Sequence, residues 1–119
     1  MEFKIHTAGA FPVAELTDQH IVLSDVSDFL DLMGNAGYQG VERILIHKTN
    51  LEPAFFDLKT GIAGEILQKF STYNHKLAIL GDFTNVESKS LRDFIRESNR
   101  TGRILFVDNR EEALNRFGK

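Results

Sequence analysis

Leu77-Ala78-Ile79-Leu80 is an unbroken apolar run, closed by Gly81-Asp82. A run this short, without alternation, is expected of a strand buried on both faces, as in a parallel sheet. Two more segments share its character, Ile44-Leu45-Ile46 upstream and Ile104-Leu105-Phe106-Val107 downstream. A helical spacing of apolar residues follows each. Ile62, Ile66, Leu67 and Phe70 follow the Ile44 run; Leu91, Phe94 and Ile95 follow the Leu77 run; Ala113, Leu114 and Phe117 follow the Ile104 run. Gly102 is placed to end the middle helix, and Asp108 with Glu111 has the spacing of a capping box before the last.

The segment before these units reads differently. Phe3 and Ile5 alternate with Lys4 and His6, Thr7-Ala8-Gly9-Ala10 supplies a turn, and Phe11 to Leu16 runs back, a β-hairpin. Pro12 has no amide hydrogen and should lie where its nitrogen needs no ladder partner. Ser24 or Asp25 caps a first helix whose apolar face is Val26, Phe29, Leu30 and Met33, and Gly34, Gly37 and Gly40 are expected to break it. The order β, β, α, β, α, β, α, β, α predicts an α/β fold. Residues 1–119 form a single domain in which an N-terminal β-hairpin is followed by βα units. The sheet is mostly parallel, with about five strands and about four helices. The longest irregular stretch, His47 to Lys59, has the length at which loops are often functional.

Composition removes several functions. The 119 residues contain no cysteine, which excludes disulfide scaffolds, thiol catalysis and cysteine-ligated zinc. The net charge of −3 argues against bulk attraction to nucleic acid or an anionic membrane. Residues 1–60 carry net −5 and residues 61–119 net +2, two differently charged regions able to orient a partner. The four histidines, His6, His20, His47 and His75, include no pair at helical i, i+4 spacing and no His-x-His, so no metal site is expected. No targeting segment and no apolar stretch of the roughly 20 residues a membrane span needs is evident. A cytoplasmic protein is the expectation.

Two stretches, Asp31-Leu32-Met33-Gly34-Asn35-Ala36-Gly37-Tyr38-Gln39-Gly40 and Phe55 to Phe70, together with Ser88-Lys89-Ser90-Leu91-Arg92-Asp93-Phe94-Ile95, resemble a bacterial family known as domain of unknown function 4180. The likeness covers nearly the whole chain and implies a compact protein without an established activity. The element order is also similar to the sulfate-transporter and anti-sigma-factor-antagonist (STAS) domain. That STAS-like resemblance implies helices largely on one side of the sheet. It also implies a regulatory serine or threonine before the second helix, phosphorylated by a partner kinase. Leu58-Lys59-Thr60-Gly61 falls at that place. Thr60-Gly61 matches the hydroxyl-glycine pair; Lys59 and Leu58 depart from the motif unless Asp57 supplies its acid.

The residues themselves allow more than one use. Thr60 can cap the second helix, and a phosphate there would lie at the positive end of its dipole. Gly61 and Gly64 allow close approach of another backbone. The expected binding surface is therefore Asp57, Lys59, Thr60, Gly61 and Gly64, with Asp82, Phe83 and Asn85 from the next strand end. The alternative is a crevice at the C-terminal strand ends, with His47, Asn50, Asp57 and Asp82 binding a small ligand or doing acid–base work. Self-association through the Gly61–Gly64 face or a sheet edge is a third use. Lys89, Arg92, Arg96 and Arg100 form a basic stripe interrupted by Asp93 and Glu97, most simply a solvated helix face. Phe55, Phe56 and Phe83 either plug the core or form an interaction patch. The reading favours a non-catalytic regulatory module acting on a protein partner or on itself, with no catalytic residue and no cofactor.

Overall fold

In the computed structural model, which describes residues 1–118, the three apolar runs are neighbouring strands of one sheet. The strands are β1 (Phe3–His6), β2 (Val13–Leu16), β3 (Arg43–His47), β4 (Lys76–Leu80) and β5 (Ile104–Val107). The helices are α1 (Val26–Tyr38), α2 (Ile62–Thr72), α3 (Lys89–Thr101) and α4 (Arg110–Phe117). The spatial order β1-β2-β3-β4-β5 is the chain order. β1 and β2 pair antiparallel, Phe3 opposite Leu16, and the remaining pairs are parallel. The fold is thus a single α/β domain with a five-stranded mixed sheet and four helices, as the sequence predicts.

A sheet whose order follows the chain constrains its helices. Right-handed crossovers between successive neighbours put every connecting helix on the same face. Accordingly α1, α2 and α3 pack on one face, where Phe29, Leu32, Ala63, Ile66 and Phe70 join Ile44, Ile46, Leu77 and Ile79 in one core. Only α4, which follows the last strand, covers the other face, where Ala113 and Phe117 join Val13, Leu45, Ala78 and Leu105. Strand alternation sets this division and puts Glu15, two residues after Val13, on the α4 face.

Several boundaries differ from the sequence reading. α1 runs straight through Gly34 and Gly37 and ends only at Gln39–Gly40, where Gly40 adopts φ +77°. Each interior glycine costs about 1 kcal/mol relative to alanine, and burial of Phe29, Leu32, Met33 and Ala36 outweighs that cost. Leu32 takes the core position expected for Leu30, which is exposed. Asp25 caps α1 in a reciprocal capping box with Asp28. β2 begins at Val13, so Phe11 and Pro12 belong to the turn, and Pro12 needs no ladder partner. α4 is capped by Asn109, which accepts from the Glu112 amide, one residue beyond the expected Asp108. His47 to Lys59 is not irregular: it forms three short 3-10 turns, Lys48–Asn50, Pro53–Phe56 and Leu58–Thr60. Gly102 ends α3 as expected.

Candidate functional site

The 3-10 turns bring one half of the predicted site to the start of α2. Asp57 caps the third turn by accepting from the Lys59 amide (3.1 Å). The Thr60 hydroxyl contacts two carbonyls, Ala54 O at 2.9 Å and Asp57 O at 2.8 Å, and accepts weakly from the Ile62 amide at 3.3 Å. The N-cap of α2 is not Thr60 but Gly61, whose φ of +77° lies in the left-handed region that glycine adopts without strain. Asp57, Lys59, Thr60, Gly61 and Gly64 are all exposed.

The other half lies on the β4–α3 loop. Asp82 accepts from the Thr84 hydroxyl and amide, and these bonds hold its carboxyl below its ordinary value. Asp82 and Asn85 are exposed, whereas Phe83 is half-buried. Phe56 and Phe83 join the two halves, their ring centroids 6.2 Å apart. Beneath them the contact series continues from Phe56 to Phe55 and Phe29, and from Phe83 to Phe106 and Phe94. The phenylalanines therefore plug the core under this surface. The Lys48 ammonium closes the seam, donating to the Asp82 carbonyl at 2.7 Å and lying 5.1 Å from the Phe83 ring centroid. A Cβ at Gly81 would come within 2.6 Å of Lys48 Cβ, so Lys48 lies across the strand end only because residue 81 is glycine.

The crevice residues go elsewhere. Asn50 is buried and fully used: its side-chain oxygen accepts from the His47 amide, and its nitrogen donates to the Asp18 and Ile21 carbonyls. It fastens the segment before α1 to the end of β3. His47 points across the sheet to Glu15. The side chains of His47, Asp57 and Asp82 thus have three separate sets of partners.

Sequence reasoning missed the centre that His47 belongs to. Glu15 is only 4% exposed and carries four hydrogen bonds. His6 Nε2 donates to one carboxylate oxygen at 2.8 Å and His47 Nε2 to the other at 2.9 Å. Arg110, at the start of α4, donates through Nε and Nη2 to the same two oxygens at 2.8 and 2.9 Å. An ionised carboxylate only accepts, so both ring nitrogens facing it carry hydrogen. Burial pushes the Glu15 carboxyl up, but the bonds from Arg110, His6 and His47 and the Arg110 charge prevail and hold its pKa at about 2. Glu15 in turn holds the Arg110 guanidinium more firmly protonated. A carboxylate with four donors and so low a pKa is a poor general base at neutral pH. Among the described residues no group of His, Asp or Glu is arranged to hold a metal ion.

The basic stripe of α3 is largely paired within its own helix: Lys89 and Arg96 with Asp93, and Arg100 with Glu97. No helix among the described residues is long and apolar enough to cross a membrane.

The family model of a domain of unknown function, DUF4180, matches residues 8–117. The chain belongs to the DUF4180 family. Beyond the family, it is similar to a region of the probable polyketide synthase 15 of Dictyostelium discoideum, 25% identical over 105 residues. That alignment covers 88% of this chain and 3% of the synthase, so this DUF4180 chain spans a small fraction of that relative's length. No solved structure matches the chain. The STAS resemblance expected from the element order is therefore not shown by comparison with solved structures.

Proposed function

We propose that this DUF4180 domain is a cytoplasmic, non-catalytic protein-interaction module. Its binding surface is Asp57–Gly64 with Asp82–Asn85, and Thr60 is its switch. The observation that carries the reading is the Thr60 hydroxyl. It is exposed, and its single hydrogen is shared by the Ala54 and Asp57 carbonyls. Phosphoryl transfer from a nucleoside triphosphate forms a bond from the Thr60 oxygen to the γ-phosphorus, breaks that phosphorus's bond to the β-phosphate oxygen, and releases a nucleoside diphosphate and the hydroxyl proton. Both carbonyls then lose their donor, and roughly two negative charges arrive next to Asp57. The turn that presents the surface comes apart locally, while the phenylalanines beneath it stay packed. The saturation of Glu15 supports a role outside catalysis. The likeness to a short segment of a far longer chain supports the reading as a module.

The test is quantitative affinity capture from the native cell with wild type, Thr60→Ser, Thr60→Ala and Thr60→Glu. Serine keeps the hydroxyl, so Thr60→Ser recovers the same partner as wild type, and Thr60→Glu loses it at least about tenfold, as expected for a lost charge-sensitive contact. Thr60→Ala and Thr60→Glu both strip the two carbonyls, so Thr60→Ala is the control that isolates charge, and it recovers more of the partner than Thr60→Glu if the added charge is the switch. Equal recovery of one partner by all four proteins removes the switch, and recovery of none removes the module.

A further inference from the structure

Among the described residues, no close approach requires the two glycines inside α1. A Cβ at Gly34 would meet nothing within 4 Å, and one at Gly37 only His75 Nε2, at 4.0 Å. Yet both sit where a helix is weakened by glycine. What they leave open is a cavity of about 350 Å³, a groove broadly open to the surface, between α1 and the turn joining α2 to β4, lined by Leu30, Met33, Gly34, Gly37, Tyr73 and His75. Apart from His75, the side chains lining it are apolar or aromatic.

His75 supplies the second observation. Its Nδ1 lies 2.9 Å from the Tyr73 carbonyl, which can only accept, so Nδ1 carries the hydrogen. In the tautomer with that hydrogen, Nε2 is a bare acceptor. It is buried and has no hydrogen-bond partner, alone in this among the buried side-chain polar atoms of the described residues. The ring is fixed: Phe70 packs edge-on at 6.4 Å between centroids, and the His75 backbone bonds to the Phe70 carbonyl and to Arg103. A buried acceptor without a donor is unfavourable until something supplies one. Leu30 and Tyr73, which rim the cavity, are exposed side chains, and rotamer changes of such residues commonly accompany binding.

We propose that this cavity is a binding site for a small apolar or aromatic ligand carrying one N–H or O–H group, which donates to His75 Nε2. The glycines are its floor, Leu30 and Tyr73 its rim, and His75 the group that selects a donor-bearing ligand over a purely apolar one. The site lies apart from the Thr60 surface and does not depend on it.

The probes are indole, which has an N–H donor, and benzothiophene, its counterpart without one. Each is titrated into ¹⁵N-labelled protein while the amides of Gly34 and Gly37 and the ring nitrogens of His75 are followed. Indole is expected to move these resonances and to bind at least about fivefold tighter than benzothiophene, the discrimination one satisfied acceptor supplies. Gly34→Leu, whose side chain fills the cavity from open space, should weaken indole at least about tenfold while the protein stays folded. His75→Phe should bring the two probes within about twofold of each other, because the acceptor is gone. Equal binding of the probes to wild type, or indole shifts elsewhere on the protein, overturns the proposal. So does movement of the Gly34 and Gly37 amides with protein concentration alone and not with indole, which would make this face a contact between two copies of the chain.

Discussion

On one face of the sheet, three helices bring Phe29, Phe70 and Phe94 together with Ile44, Ile46, Leu77 and Ile79; on the other, a single helix of eight residues brings Ala113 and Phe117 to Val13, Leu45, Ala78 and Leu105. The first face is closed by apolar packing. The second runs out of helix before it runs out of sheet, and a buried charge cluster stands where the apolar cover stops. Arg110 ties the start of α4 to Glu15, 95 residues away in sequence, and His6 and His47 close the carboxylate from the strands on either side. A helix this short is not stable by itself. It needs both its two core residues and the fork of Arg110. The same cluster engages His47, the histidine that made the strand-end crevice look chemical, through its bond to Glu15.

If the first face is held by packing alone, deleting a ring there should be the most damaging single change. Phe55, 1% exposed and stacked on Phe29, is the choice that also anchors the 3-10 turns. Phe55→Ala should cost about 3–5 kcal/mol, the range for a large aromatic removed from a core. Urea denaturation measures it, and a cost below about 1 kcal/mol would mean that the site collapses freely and the aromatic series is not a rigid support.

The second face should instead respond to pH. Glu15 titrates at about 2 when folded, below its ordinary 4.5. Its stabilisation is therefore nearly complete above about pH 4.5 and is lost as pH falls through about 2, at most about 3 kcal/mol. His6, His47 and Arg110 face the carboxylate throughout that window and offer it only donors. Glu15→Gln should be less stable at neutral pH and should have a shallower acid limb than wild type between pH 4.5 and 2, the remaining slope belonging to Asp82, Asp93 and Glu97, whose carboxyls also lie below their ordinary values. Stability curves of equal acid slope for the two proteins would show that the cluster does not govern this limb. Arg110→Ala removes two of the four bonds and leaves both histidines, and Arg110 is itself partly exposed. Its cost should be about 2 kcal/mol, below that of breaking a fully buried pair.

What could be read in advance follows from the same division. Burial on both faces writes itself into sequence as unbroken apolar runs, so β3, β4 and β5 were legible, and with them the crossovers and the order of elements. Glu15 was not. In Val13-Ala14-Glu15-Leu16 it looks like the solvent side of an alternating strand, and its partners stand 9, 32 and 95 residues away. The available signal was topological: β2 lies between β1 and β3, an interior strand, and a carboxylate on an interior strand under a helix has to find partners. Thr60 stood out by its place before a helix, but its use of the Ala54 and Asp57 carbonyls depends on a 3-10 turn that no period announces. The glycines of α1 misled for the opposite reason. They are locally helix-breaking, and the burial of Leu32, Met33 and Ala36 that overrides them belongs to the tertiary structure.

That override leads to the smallest effect. If α1 is held only through its inner side, its outer glycines give the fold nothing, and adding a methyl group should help. At Gly34 the φ is not positive, a Cβ meets nothing within 4 Å, and the position is exposed in mid-helix. Gly34→Ala should therefore raise stability by about 0.5–1 kcal/mol, by lowering the entropy of the unfolded chain and raising helix propensity. Thermal or urea denaturation resolves a gain of that size. A loss would mean that the helix needs glycine there for a backbone reason, and the cavity beside it would then be a by-product of the fold. A gain shows that α1 makes no backbone use of glycine at this position, as the open space around a Cβ there implies.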